Sequence, residues 1–215
     1  LGPLRACTQG WISIHAMRHA IASTTVLACA IGLPLIYYGG LEMIAIGLLC
    51  VIFCFLYTTH LSYLGLGDIL VLVFFGIVPV SITYYVQLHT VTAEVMTASI
   101  ACGMVVDALL IVNNYRDRDN DSKAGKKTLV VRIGSDNTEQ LYLSLGIVAS
   151  LCGIVYWMNG HILAAILPLI YLILHIFTYI KMKKIHEGKQ LNECLGETAR
   201  NILVFGICMA LGFLL

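Results

Sequence analysis

Charge is what this chain has least of. Only 12% of its 215 residues are Asp, Glu, Lys or Arg, about half the roughly 25% of a soluble domain. That shortage excludes an ordinary water-solvated fold and points to a chain solvated by lipid. A basic excess is missing too: 13 Lys and Arg stand against 12 Asp and Glu, and no nucleic-acid partner is expected. None of the eight cysteines falls in a CxxC pair or a zinc-type spacing, and most lie inside apolar runs, so they read as buried reduced thiols. Cys50 and Cys54 share a helix face, a pairing more common in packing than in metal sites. Strand alternation and barrel-like dyad patterns are lacking, which leaves helices as the way to satisfy the backbone in lipid. The opening "LGPLRACTQG" has neither a Met nor a signal-peptide pattern, and sequence upstream of Leu1 is expected to be missing.

What is present is a series of apolar runs near the 20 residues needed to cross the hydrocarbon core. They predict an all-α, polytopic transmembrane bundle with seven spans at about 20–38, 41–57, 69–88, 95–113, 140–158, 161–180 and 201–215. The last is short and would need tilt or local thinning. Connections near 39–40, 89–94 and 159–160 are brief, whereas 1–19, 58–68, 114–139 and 181–200 are longer and polar. Alternating spans put the four long segments on one side, and all 13 Lys and Arg fall in them or at their edges. The positive-inside rule makes that side cytoplasmic. Tyr37–Tyr38, Tyr84–Tyr85 and Tyr156–Trp157 sit at the opposite span ends, where an interfacial aromatic belt belongs. Nine of the 12 acids also lie on the cationic side; Glu42 and Glu94 face the other way and Asp107 falls inside a span. Function is therefore expected at the cytoplasmic mouth.

The densest mixture of both signs is "NNYRDRDNDSKAGKKTLVVRIG" at 113–134, directly after an apolar run. A helix continuing into it advances about 400° in four residues. Asn113, Asp117 and Asp121 then share one face with Asn114 beside them, while Asp119 points away. Two carboxylates a turn apart with amide oxygens nearby suit Mg²⁺, which binds one or two carboxylates plus substrate phosphates. The cations Arg116, Arg118, Lys123, Lys126, Lys127 and Arg132 would suit a diphosphate. A charged loop that merely fixes topology is the plainer reading. Recurrence at helical spacing, in continuation of a spanning helix, favours a site.

These residues resemble the second aspartate-rich motif of the UbiA superfamily of intramembrane prenyltransferases, closest to its 1,4-dihydroxy-2-naphthoate polyprenyltransferase branch. "LGPLR" at the start and "YTTHLSYLGLGDILVLVFFG" at 57–76 extend the likeness over most of 1–134. The resemblance implies a single integral-membrane prenyltransferase domain over 1–215, of nine spans in full. It implies Mg²⁺-dependent transfer of a polyprenyl group from polyprenyl diphosphate to 1,4-dihydroxy-2-naphthoate, with decarboxylation, in menaquinone biosynthesis at a bacterial inner membrane. By the same likeness Asp117 and Asp121 match metal-binding positions with Asn113, and Asn114 joins them as a catalytic residue. Arg116, Lys126 and Arg132 would meet the diphosphate, as would Arg5. The family's first motif, NDxxDxxxD-like, should precede "GPLR". Its absence, like seven spans in place of nine, implies a chain lacking its N-terminal spans and inactive alone.

Other residues remain open between roles. Asp68 in "GLGDILV" lines the mouth or caps a helix. Asp107 contacts the acceptor or bonds another helix. Tyr57 lies in a loop that forms part of a lid in the family, and no role is carried onto His60. His15 and His19 share a face but read as interfacial, and "KMKKIHEGKQ" reads as a positive-inside loop. A relative with another acceptor, such as 4-hydroxybenzoate, is the alternative. A secondary transporter is disfavoured because no internal repeat occurs and the acids cluster at one face.

Overall fold

The computed structural model describes residues 5–215, so of the "LGPLR" block only Arg5 lies among the described residues. Seven helical rods follow one another: α1 (Ile14–Gly39), α2 (Glu42–Leu56), α3 (Gly67–Leu88), α4 (Ala93–Lys123), α5 (Leu129–Met158), α6 (Ile162–Ile185) and α7 (Leu191–Leu214). Six of them are long and apolar enough to cross a membrane; α2, with 15 residues, is shorter. The seven expected spans thus become six full ones and one short helix, and the chain is an integral membrane protein by length and composition. Two boundaries also change. α7 begins at Leu191, ten residues before the expected start, so the last span is not short. The 114–139 segment is mostly helix, with α4 running to Lys123 and α5 starting at Leu129.

Breaks within the rods have local causes. Pro34 restarts α1 after Leu33, and Pro168 divides α6, since proline cannot donate to the preceding turn. In α3 a π-helical stretch at Leu72–Ile77 precedes Pro79, whose missing N–H leaves the turn before it to be satisfied differently.

Lipid offers no hydrophobic drive between helices, so close approach depends on small residues and polar contacts. α3 and α4 cross at Gly76 and Gly103. A Cβ on Gly76 would fall on the Gly103 backbone, and one on Gly103 would fall on Leu72. One turn away the Ser81 and Ser99 hydroxyls, both buried, pair at 2.7 Å. α4 then packs on α5 and α7, and two buried clusters fill this bundle. Ile111, Tyr115, Tyr142 and Met182 belong to the one nearer the polar corner; Val105, Tyr156, Tyr171 and Phe205 belong to the other.

Polar side chains join α5, α6 and α7 inside this core. Buried His175 stacks on Tyr142 at 4.2 Å and reaches the Tyr142 carbonyl through Nε2 at 2.8 Å. A carbonyl only accepts, so Nε2 carries the hydrogen and Nδ1 accepts from the Tyr171 hydroxyl at 3.2 Å. The Tyr142 and Thr198 hydroxyls pair at 2.9 Å, and Asn201 donates to Thr178 at 3.1 Å.

The Gly76–Gly103 crossing should tolerate no side chain. Gly103→Leu is expected to cost about 1–3 kcal/mol, as overpacking does, and to lower the thermal midpoint in detergent. Gly206→Ala, where nothing lies within 4 Å of an added Cβ, should leave it unchanged; equal midpoints for both variants would refute the close crossing.

Candidate functional site

α4 places the polar stretch. Thr92 caps its start, the hydroxyl accepting from the Val95 N–H at 3.3 Å. Its 31 residues extend about 46 Å at 1.5 Å each, well beyond a hydrocarbon core of about 30 Å. The residues from Asn113 to Lys123 therefore continue as helix past the lipid. Lys126 N–H donates to the Asp121 carbonyl at 2.9 Å, and Gly125 takes φ 74° to reverse the chain. Thr128 then caps α5, accepting from Val131 N–H at 3.3 Å.

The loop between α2 and α3 is docked across this corner. Lys127 N–H donates to the Tyr63 carbonyl at 3.0 Å. Arg132 donates through Nη2 to the Leu64 carbonyl at 2.7 Å and through Nε to the Lys127 carbonyl at 3.1 Å. Gly65, at φ 74°, faces the Lys127 carbonyl so closely that a Cβ would fall on it. Lys126 Nζ lies 5.5 Å from the centre of the Tyr63 ring.

Between these segments is a cavity of about 290 Å³. Six residues nominated from sequence line it: Arg5, Tyr57, Asp68, Asn113, Asn114 and Lys126. Ser62, Gly67, Leu110 and Thr128 complete much of the wall and were not nominated. An apolar groove of about 330 Å³ adjoins it, sharing Leu110 and Asn113 and bordered by Val71, Phe75, Val106, Leu109 and Leu195.

The other nominated residues lie elsewhere. Asp117 and Asp121 are on the expected helix face but outside the cavity wall, each ion-paired to a neighbour. Arg116, almost fully buried, grips Asp117 with two donors at 2.9 and 2.5 Å. It also donates to the Asn113 side-chain oxygen at 3.0 Å and to that of Asn192 at 2.7 Å. Arg116 is thus turned along the helix and toward α7, and does not face the cavity. Asp121 pairs with Lys126 at 3.0 Å, and Lys126 is on the wall. Arg132, expected at the diphosphate, is committed to backbone carbonyls and joins the two segments instead. A lone carbonyl accepts from any cation within reach, and the sequence does not show that Leu64 lies there.

Two acids stand out by what they lack. Asp68 is 8% exposed and Asp107 6%, and Oδ1 of each has no hydrogen-bond partner among the described residues. An unsatisfied buried polar group costs on the order of 1–3 kcal/mol. Burial pushes the Tyr57 phenol up in pKa; Asp68 and Asp107 push the same way and Lys126 opposes them. The hydroxyl therefore stays protonated at neutral pH and is a donor. The oxygen-only set of Asn113, Asn114, Asp117 and Asp121 has the chemistry Mg²⁺ prefers, although no cluster of three His, Cys, Asp or Glu occurs among the described residues. His15 and His19 contact each other at 3.3 Å on an exposed face.

One supporting network was not foreseen. Tyr115 donates to Glu139 at 2.6 Å and contacts His186 at 3.0 Å, while Arg118 donates to the His186 carbonyl at 2.9 Å. Together with Asn192, these contacts tie the 186–192 turn to the back of the polar helix. The only signal in the sequence was that polar residues cluster there, which a positive-inside loop explains equally.

The model of the UbiA prenyltransferase family matches residues 2–195. The chain is 32% identical to 1,4-dihydroxy-2-naphthoate octaprenyltransferase of Haemophilus influenzae, over 100% of this chain and 73% of that protein. Against the enzyme of the same name from Escherichia coli it is 37% identical, over 67% of the chain and 50% of the relative. For that of Mycobacterium tuberculosis the identity is 33%, over 69% and 52%. The chain thus spans about half to three quarters of the length of these relatives. No solved structure matches it. By a family match over most of its length and a relative 32% identical over all of it, the chain belongs to the UbiA prenyltransferase family.

Proposed function

We propose that this chain forms the polyprenyl-diphosphate and acceptor site of an enzyme that prenylates 1,4-dihydroxy-2-naphthoate, with loss of its carboxylate, to give demethylmenaquinol. The observation that carries this reading is the juxtaposition of two cavities sharing Leu110 and Asn113, one lined by charged and amide side chains and one by hydrocarbon. An allylic diphosphate with a long isoprenoid tail has the same division. Its relatives' names supply the acceptor.

In this reading Arg5 and Lys126 meet the anionic oxygens of the diphosphate, and the amide groups of Asn113 and Asn114 donate beside them. Tyr57, held neutral, adds a hydroxyl donor. Asp117 and Asp121, with Asn113, would hold Mg²⁺, which as a Lewis acid stabilises charge on the departing diphosphate. The docked 57–66 loop and the 124–128 corner cover the mouth and restrict water, which an allylic cation would capture. The cationic face is cytoplasmic by the positive-inside rule, placing the site at the inner face of a bacterial cytoplasmic membrane.

Protein carrying this chain, reconstituted with octaprenyl diphosphate and Mg²⁺, should convert dihydroxynaphthoate to the prenylated quinol with release of carbon dioxide and diphosphate. Turnover of 4-hydroxybenzoate but not of dihydroxynaphthoate would overturn the acceptor. Asp117→Asn and Asp121→Asn should each lower the rate on the order of 10²–10³-fold, as losing one stabiliser of developing charge does, and raise the Mg²⁺ concentration needed. Asp119→Asn, on the exposed side, should retain the rate; equal effects of all three changes would remove the metal-site assignment.

A further inference from the structure

The least explained feature of the molecule is a pair of buried carboxyl groups. Asp68 stands at the first turn of α3, on the wall of the polar cavity. Asp107 is on α4, one turn deeper in the membrane than Leu110 and two turns deeper than Asn114, both of which are on that wall. Residues at i, i+3 and i+7 share a helix face, so Asp107 lies beneath the cavity floor. Each acid is more than nine-tenths buried, and each keeps one carboxyl oxygen without a partner among the described residues. Native interiors rarely leave such oxygens unpaired unless a ligand, ion or water completes them.

The surroundings narrow the choice. Tyr57 lies within electrostatic reach of both acids, and Gly67 leaves its own position open against the Tyr57 ring and Leu110. The cations of the site, Arg5 and Lys126, are on the wall of the mouth, and the Lys126 ammonium is already paired with Asp121. The inner end of the cavity therefore offers acceptor oxygens, an aromatic face and hydrocarbon, with no basic side chain on Leu110's flank of α4 between residues 93 and 115. A diphosphate head finds no cation in such a place, and the carboxylate of a naphthoate would have to point outward, toward Arg5 and Lys126. A flat aromatic ring bearing hydroxyl groups fits it, because each hydroxyl brings the donor that a carboxyl oxygen lacks.

We infer that Asp68 and Asp107 form the acceptor subsite, their unpaired oxygens receiving the hydrogen bonds of two hydroxyl groups on an aromatic ring packed beside Tyr57. This rests on the reading of the chain as an aromatic prenyltransferase. It goes further by dividing the cavity: diphosphate at the outer rim on Arg5 and Lys126, acceptor at the floor on two carboxyls. A ring with a single hydroxyl leaves one acid unsatisfied and binds more weakly for that reason. The acids thus choose between acceptors by counting hydroxyl donors.

The test measures acceptor binding first and uses turnover only as a control. Calorimetry in detergent, with no prenyl diphosphate present, compares 1,4-dihydroxy-2-naphthoate with 1-hydroxy-2-naphthoate on the protein as it exists and on Asp107→Leu, Asp107→Asn and Asp68→Asn variants. The parent protein should bind the dihydroxy ring about 10- to 100-fold more tightly, the range set by leaving one buried acceptor unsatisfied. Asp107→Leu should erase that preference while leaving the KM for polyprenyl diphosphate within about twofold. Replacing a buried, partnerless carboxyl by an apolar group of similar size should also raise the thermal midpoint, so misfolding is visible separately. Variants that keep the preference, or that change the KM of the diphosphate or the Mg²⁺ requirement instead, would overturn the subsite. Failure of the parent protein to bind either naphthoate would strike the prenyltransferase reading itself, a different result.

Discussion

A backbone crossing lipid must satisfy its own hydrogen bonds, and α4 goes on doing so for about three turns after it has left the hydrocarbon. The rest of the polar end is arranged on that extension. Because the helix does not unwind at the membrane surface, Asn113, Asp117 and Asp121 keep one face and Tyr115 and Arg118 keep another. On the first face Asn113 meets the cavity while Asp117 and Asp121 make ion pairs beside it; the second is held from behind by Glu139 and by the His186 carbonyl. A loop in the same place would leave each of these side chains to find its own position, at the entropic cost of ordering it.

The second constraint is the close α3–α4 crossing. Gly76 and Gly103 let the two backbones touch, and this brings the start of α3, with Gly67 and Asp68, against the middle of α4 at Leu110. Bulkier residues at the crossing would move Asp68 away from the face that carries Asp107 and Asn114. Packing in the membrane and geometry at the mouth are thus one problem. The π-helical turn at Leu72–Ile77 lies at that crossing, where extra backbone adjusts the approach of the two helices.

Much of this was legible in the sequence because it is periodic or compositional. Low charge and apolar runs gave the helices; a four-residue repeat of Asn and Asp gave the face of α4. Both are properties of a single helix, and they need no knowledge of what packs on it. What the sequence did not reveal depends on contacts between distant segments. Arg132 looks like any cation in a basic tail until Leu64 is placed beside it. Arg116 looks free for an anion until Asn192, 76 positions later, is found to accept from it. The seven expected spans are roughly matched by six long helices and one of 15 residues; hydropathy marks 41–57 as apolar but does not show where that helix stops.

The two ion pairs on the acid face differ in what holds them. Arg116 and Asp117 are joined by two parallel bonds, with side chains 6% and 23% exposed, and Asn113 and Asn192 fix the same guanidinium. Bidentate, charge-assisted and partly buried contacts of this kind are the strong ones. Lys126 and Asp121 share one contact at 3.0 Å, with side chains 31% and 13% exposed. A single contact from a flexible ammonium stem fixes less than a bidentate guanidinium does, although Asp121 is the more buried of the two acids. On the proposed reading, an anion entering the cavity would meet Lys126 on the wall and compete with Asp121 for its ammonium, while Asp117 would stay where Arg116 orients it. The residues that pair with each other without ligand would then divide into anion-binding and cation-binding groups.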